Sequence, residues 1–183
     1  GQVSYYVWLT KQFTAPINVA ITSGNFGNAY SAWFGRNHGL PINQILCSTN
    51  VNDVLRRFID GGVLEPLVTQ PSVAPSMDIQ IPSSLERLIY NLSSDAKSFY
   101  GQLQTNSKAQ LDEKSVDGLQ KVFSSFTFSD ENITTLIKSL HDEFAFVFDP
   151  HSVTSIQMAL DNDSSLPTVA VATASPEKFG NVI

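Results

Sequence analysis

Cysteine is almost absent from this 183-residue chain: Cys47 stands alone, so neither a disulfide framework nor a thiolate metal site can form within it. One cysteine fits a reducing compartment. Long apolar runs are missing as well, none approaching the ~20 residues that span a bilayer. Positive charge is thin. With 11 Lys and Arg against 17 Asp and Glu, the net charge is −6, and there is no basic stripe to neutralise nucleic-acid phosphates. The three His residues lack metal-ligand spacing, so no metal site is expected. No charge block, internal repeat or low-complexity tract is evident. What is present, 42% hydrophobic and 15% charged residues, suits a well-buried globular chain. No signal peptide is visible, but the chain starts at Gly1 rather than Met, which reads as a piece of something longer. A cytoplasmic location is expected, with a plastid one left open.

The most informative stretch is Ser23-Gly24-Asn25-Phe26-Gly27-Asn28. It follows an apolar run, Val19-Ala20-Ile21, and precedes a helix-like run from Ala29 to His38. A strand, a Gly/Ser/Asn turn and a helix N-terminus form an anion site, because the first helical turn leaves amides without partners and the helix dipole adds positive potential. Gly24 and Gly27 are expected to let the backbone take unusual dihedrals and approach a ligand closely. No Lys follows the second glycine, and the spacing is not GxGxxG, so neither a P-loop nor a dinucleotide fingerprint is present. An ordinary strand-to-helix turn with a polar cap is the competing reading.

Hydrophobic pattern and breakers predict a helix over 3–13 buried on most sides, a strand over 18–22, the helix over 29–38 ended by Gly39 and Pro41, a strand over 44–48 and a helix over 53–60 ended by Gly61-Gly62. A third buried strand covers 168–172. The span 64–75, with its prolines, reads as a surface loop. Ser83-Ser84-Leu85-Glu86 reads as a capping box opening a helix to Leu92, and further helices are expected over 97–105, 113–123, 130–144 and 152–160. Alternation of strands and helices implies an α/β fold: a mostly parallel sheet with helices on both faces, in a single domain over 1–183 with a helical insertion at about 83–145. In such sheets ligands sit beyond the strand carboxyl ends, so the glycine turn and Thr173-Ala174-Ser175-Pro176 can share one pocket.

Other candidates are weaker. His151 reads either as an anion contact or, more readily, as a structural histidine at the start of its helix. Lys178, just past the Thr173 turn, is a better anion partner than Arg36. Asn50, Asn52 and Asp53 read as the cap of the following helix rather than as pocket lining.

The segments together resemble threonine synthase, a pyridoxal-phosphate enzyme family of the tryptophan-synthase-β fold group. The resemblance lies in Ser23–Asn28, Gly39-Leu40-Pro41-Ile42, Ser48-Thr49-Asn50-Val51-Asn52-Asp53, Pro75–Ile79 with Ser83–Leu88, Asp149-Pro150-His151-Ser152 and Thr173–Phe179, six matches in one order. It implies the large-domain fold of that group and chemistry on O-phospho-L-homoserine: proton removal at Cα and Cβ, loss of the γ-phosphate, and water addition to give threonine. It implies that Gly24, Asn25, Phe26, Gly27 and Asn28 hold the cofactor phosphate and that Thr173 faces the pyridine nitrogen. Ser175, Lys178 and His151 are then the candidates for substrate contact. None of the lysines lies in the Phe-Lys-Asp-like segment expected upstream of the glycine loop to carry the Schiff base. The resemblance therefore implies a carboxyl-terminal part, inactive without the amino-terminal part of the same enzyme. Ser175, where the family usually has His, and Val153-Thr154-Ser155, where it has small residues, are departures. Two other readings stay open: a phospholyase yielding 2-oxobutyrate, and a non-catalytic module binding a phosphorylated small molecule.

Overall fold

In a computed structural model, residues 1–93, 95–180 and 182 are described. A helix, α1 (Val3–Thr10), leads into β1 (Ile17–Thr22), α2 (Gly27–Asn37), β2 (Ile42–Thr49) and α3 (Val54–Gly61). A short ribbon, β3 (Val63–Leu64) with β4 (Ala109–Gln110), brackets α4 (Leu85–Leu92) and α5 (Ala96–Asn106). Then come α6 (Glu113–Gln120), β5 (Phe123–Thr127), α7 (Asp130–Phe144), α8 (Ser152–Leu160) and β6 (Thr168–Val171).

Strands β5-β2-β1-β6 form one all-parallel sheet in that order, with Ile21 level with both Cys47 and Val171. From β1 the chain steps outward to β2 and β5, then returns to lay β6 against the other side of β1. Helices α2 and α3 pack on one face, and α8, backed by α7, on the other. The direction of winding thus reverses at β1, between a connection leaving on one face and one arriving from the other, and the carboxyl ends of β1 and β6 open onto that crevice.

The two faces differ in chemistry because strand side chains alternate. Ile17, Val19 and Ile21 of β1 join Ile45 and Cys47 of β2 in the larger core, with Phe58 and Leu88. Burial pushes the Cys47 thiol up from its ordinary value, so it acts as a small apolar filler. The opposite face carries small polar groups. Thr22 Oγ1 donates to the His151 carbonyl at 2.7 Å, and the Ser48 and Thr154 hydroxyls pair at 2.7 Å. These short side chains seat the polar start of α8 directly on the sheet.

Several expectations change. Helix α1 stops at Thr10 and buries only Tyr6 and Thr10 fully, leaving Trp8 64% exposed; it lies over α2 rather than inside the core. The 83–145 span holds α4 to α7 but also β5, which pairs with β2 and completes the main sheet. No capping box forms at 83–86: the N-cap of α4 is Ser84, which makes no side-chain cap bond. A capping box does exist at α7, between Ser129 and Asn132. Gly39 and Gly62 do end α2 and α3, at φ +94° and +71°, as helix-stop glycines should.

Asn50 and Asn52 do not cap α3, whose N-cap Asp53 instead meets Arg56 and Arg57. Both asparagines are buried and reach sideways to the 66–80 segment. Asn50 Nδ2 donates to Ser72 Oγ (2.7 Å) and Asp78 Oδ1 (2.6 Å), and Asn52 Nδ2 to the Gln70 carbonyl (2.8 Å). A segment with almost no regular structure is therefore held firmly over the carboxyl end of the sheet.

Candidate functional site

The loop after β1 is shaped by packing before any ligand is considered. Among the described residues, the amides of Gly24, Asn25, Phe26, Gly27 and Asn28 donate to no protein acceptor, while the Phe26 carbonyl already receives Tyr30 N–H at 2.9 Å. This is a turn of consecutive free N–H groups at a helix N-terminus, the arrangement that draws anions. Ser23 adds a buried hydroxyl, 4% exposed, whose Oγ has no hydrogen-bond partner among the described residues.

The left-handed residue of the bend is Phe26, at φ +65°. Neither Gly24 nor Gly27 takes a positive φ, so the expectation of unusual glycine dihedrals is corrected. A bulky side chain is costly there, and its compensation is visible. The ring is 1% exposed and lies 5.5 Å from that of Phe123 on β5.

Gly24 is required for a different reason from the one expected. A Cβ built on it would sit 2.7 Å from the Ser76 carbonyl oxygen, 3.0 Å from Ile79 Cδ1 and 3.3 Å from Met77 Cα. Its bare side faces the pinned 75–79 segment, not open space. A Cβ built on Gly27 would lie 3.3 Å from Gln2 Oε1 and 3.4 Å from Ser84 Oγ. Asn25 is exposed, and its carbonyl takes Ser84 N–H at 3.0 Å. The Asn28 side chain is occupied by α1: its Oδ1 accepts from Tyr6 Oη at 2.6 Å and from Tyr5 Oη. Asn28 therefore offers the loop its amide rather than its carboxamide oxygen.

Across the crevice, β6 runs beside β1, so the chain leaves it at Ala172-Thr173 next to Thr22-Ser23. Thr173 is exposed and its N–H donates to Ser152 Oγ at 3.0 Å. Ser175 and Lys178 follow at the start of and within a 3-10 turn, Pro176–Phe179, both exposed.

His151 is not available to a ligand. It is 2% exposed, its Nδ1 is 2.8 Å from Asp149 Oδ1, and its Nε2 accepts Ser76 N–H at 3.1 Å. The second bond makes Nε2 an acceptor and puts the ring proton on Nδ1. The substrate-contact reading of His151 is therefore replaced by a structural one. Asp149, 1% exposed, also accepts from the amides of His151 (3.0 Å) and Ser152 (3.3 Å) and from Ser152 Oγ. Burial alone would raise its carboxyl, but the hydrogen bonds from His151 and Ser152 outweigh it and hold it below the ordinary value. In sequence, Asp149 and Ser152 stood out only as members of the Asp149-Pro150-His151-Ser152 segment, with no role of their own.

No protein-family model matches the chain. It is 30% identical over its whole length to a threonine synthase of Pseudomonas aeruginosa and 29% identical to that of Saccharomyces cerevisiae, spanning 41% of each. The chain thus spans about two fifths of the length of these relatives. Its fold superposes on a crystal structure of a PLP-bound threonine synthase from Brucella melitensis with a TM-score of 0.94 at 28% identity, covering 99% of this chain and 41% of that one.

Proposed function

We propose that this chain, similar over its whole length to threonine synthases and built on their fold, supplies the cofactor-phosphate half of a pyridoxal-phosphate lyase that turns O-phospho-L-homoserine and water into L-threonine and phosphate. The observation that carries the reading is the run of five amides, 24–28, that donate to no acceptor among the described residues, after a strand that lies beside the one leading to Thr173.

The residues present fit a phosphate ester. The amides of 24–28 and the Ser23 hydroxyl are donors with no acceptor among the described residues, and the helix dipole of α2 adds to them in a chain otherwise poor in cations. Gly24, Asn25, Phe26, Gly27 and Asn28 would hold the cofactor phosphate through the backbone. Thr173 would present a neutral hydroxyl to the pyridine nitrogen. When bound, pyridoxal phosphate supplies the electron sink for charge developing at Cα and Cβ of the substrate. From that position the Thr173 hydroxyl, unlike a carboxylate, would not stabilise a protonated ring nitrogen, which would favour elimination and replacement over transamination. Ser175 and Lys178 are the remaining candidates for the substrate phosphate. No lysine here matches the expected anchoring segment. The Schiff-base lysine and its proton transfers are therefore assigned to the amino-terminal part of a longer enzyme, and this piece alone is expected to be inactive. No described helix is long and apolar enough to cross a membrane; a cytoplasmic location is our reading.

Product analysis on the complete protein with O-phospho-L-homoserine tests this directly. Threonine and phosphate support it; 2-oxobutyrate with ammonia would replace it by a phospholyase, and tight binding without turnover by a non-catalytic module. Thr173→Ala should keep cofactor affinity within about threefold yet lower kcat roughly tenfold, since a single hydrogen bond is worth about 0.5–1.5 kcal/mol. Wild-type kinetics in that variant would remove the Thr173 assignment.

A further inference from the structure

A hydrogen-bonded path with a buried middle runs from the segment packed against Gly24 to Thr173. Gly24 lies against the Ser76 peptide, whose carbonyl oxygen is 2.7 Å from where a Cβ would stand. Ser76 N–H donates to His151 Nε2, His151 Nδ1–H to Asp149 Oδ1, Ser152 Oγ–H to Asp149 Oδ2, and Thr173 N–H to Ser152 Oγ. Asp149, His151 and Ser152 are each 98–99% buried. A carboxylate only accepts, so the Ser152 hydroxyl must spend its one proton on Asp149 and turn a lone pair to Thr173. Every donor and acceptor direction along the path is thereby fixed.

We propose that Ser152, oriented by Asp149, is a positioning residue that sets the backbone of Thr173 and through it the hydroxyl aimed at the cofactor ring, in register with the phosphate loop at the far end of the path. The inference rests on the Thr173 reading above. Residue 173 lies beyond the last paired residue of edge strand β6, so the sheet does not hold its amide. The bond to Ser152 does. The neighbouring Ser155 hydroxyl, bonded to the carbonyls of Ser152 (2.9 Å) and Val171 (3.4 Å), keeps the start of α8 and the end of β6 together but does not reach Thr173.

The test uses the complete protein with Ser152→Ala, Ser152→Thr and Thr173→Ala. Three quantities are read: hydrogen exchange of the 172–175 backbone, the absorption spectrum of bound pyridoxal phosphate, and kcat with KM for O-phospho-L-homoserine. Ser152→Ala should speed exchange at 172–175 about tenfold or more while β2 amides keep their protection, as a local opening would. It should shift the cofactor spectrum in the same sense as Thr173→Ala and lower kcat about tenfold with KM nearly unchanged, the size expected from a sub-ångström misplacement. Ser152→Thr, which keeps the hydroxyl, should restore the spectrum. A spectral shift in Thr173→Ala beside a wild-type spectrum in Ser152→Ala would overturn the positioning role alone. A silent Thr173→Ala would sink the Thr173 reading, and the positioning role with it. Should Ser152→Ala fail to fold, Ser152→Cys, near-isosteric but a weak acceptor, answers the same question.

Discussion

Gly24→Val in the complete protein is expected to lower pyridoxal-phosphate affinity by at least about a hundredfold and to destabilise the fold. The added Cβ alone would come within 2.7 Å of a main-chain oxygen. That oxygen belongs to Ser76, whose own N–H is tied to His151 and whose neighbour Asp78 is bonded to Asn50 and Asn52. The 75–79 segment therefore has little freedom to yield, and the glycine loop must move instead. Overpacking of this kind costs about 1–3 kcal/mol. Moving the amides away from the phosphate should forfeit at least two charge-assisted hydrogen bonds of roughly 1.5–3 kcal/mol each, and ~1.4 kcal/mol is a factor of ten in affinity. Because the conflict begins at Cβ, Gly24→Ala should show much of the loss. Cofactor titration followed by absorbance, with urea unfolding in parallel, reads both effects. Retention of the cofactor at wild-type affinity would refute the placement of the phosphate.

Asp149→Ala should cost several kcal/mol, because each buried donor it leaves without an acceptor costs about 1–3 kcal/mol. The substitution strands the His151 amide and Nδ1–H together with the Ser152 amide and hydroxyl, all away from water. Against a typical total of roughly 5–15 kcal/mol, that is enough to threaten the fold, so the complete protein should unfold at markedly lower urea. The same carboxyl predicts an acid dependence. Its folded-state pKa lies below the ordinary value, so the unfolded chain takes up its proton first as pH falls. The stabilisation is complete above about pH 4, the unfolded carboxylate value, and declines as pH falls through the lower folded-state value. Asp149→Asn should lack that component. Parallel pH–stability curves for wild type and Asp149→Asn would contradict the assignment.

What could be foreseen from sequence divides along physical lines. Strands β1, β2 and β6 each carry a short apolar run, Val19–Ile21, Ile45–Cys47 and Val169–Val171, near turn-forming residues, and such runs alternating with helices read as buried parallel strands. Strand β5 escaped because Phe-Ser-Ser-Phe-Thr is short and half polar, as befits a sheet edge, and because the helical stripe of 113–123 ran into it. The anion loop was legible because free amides follow from chain geometry whatever the side chains. Which residue bears the left-handed backbone was not, since only the tertiary contact with Phe123 lets Phe26 tolerate it. Likewise, Asn50 and Asn52 sit where helix caps belong, and nothing local reveals that Ser72 and Asp78 will arrive to claim them. His151 illustrates the same limit: its position at a helix start favours a structural role, but nothing local reveals that Asp149 and the Ser76 amide will take its two ring nitrogens.

The contact between Phe26 and Phe123 reaches further than its size suggests. An arriving phosphate would find a concavity already cast, because the entropy of shaping that bend was lost during folding and not during binding. The anvil for this casting is an aromatic ring on the outermost strand of the sheet, far from the ligand in sequence. If the loop holds the cofactor phosphate as proposed, loosening that rim should weaken the binding through the shape of the bend alone.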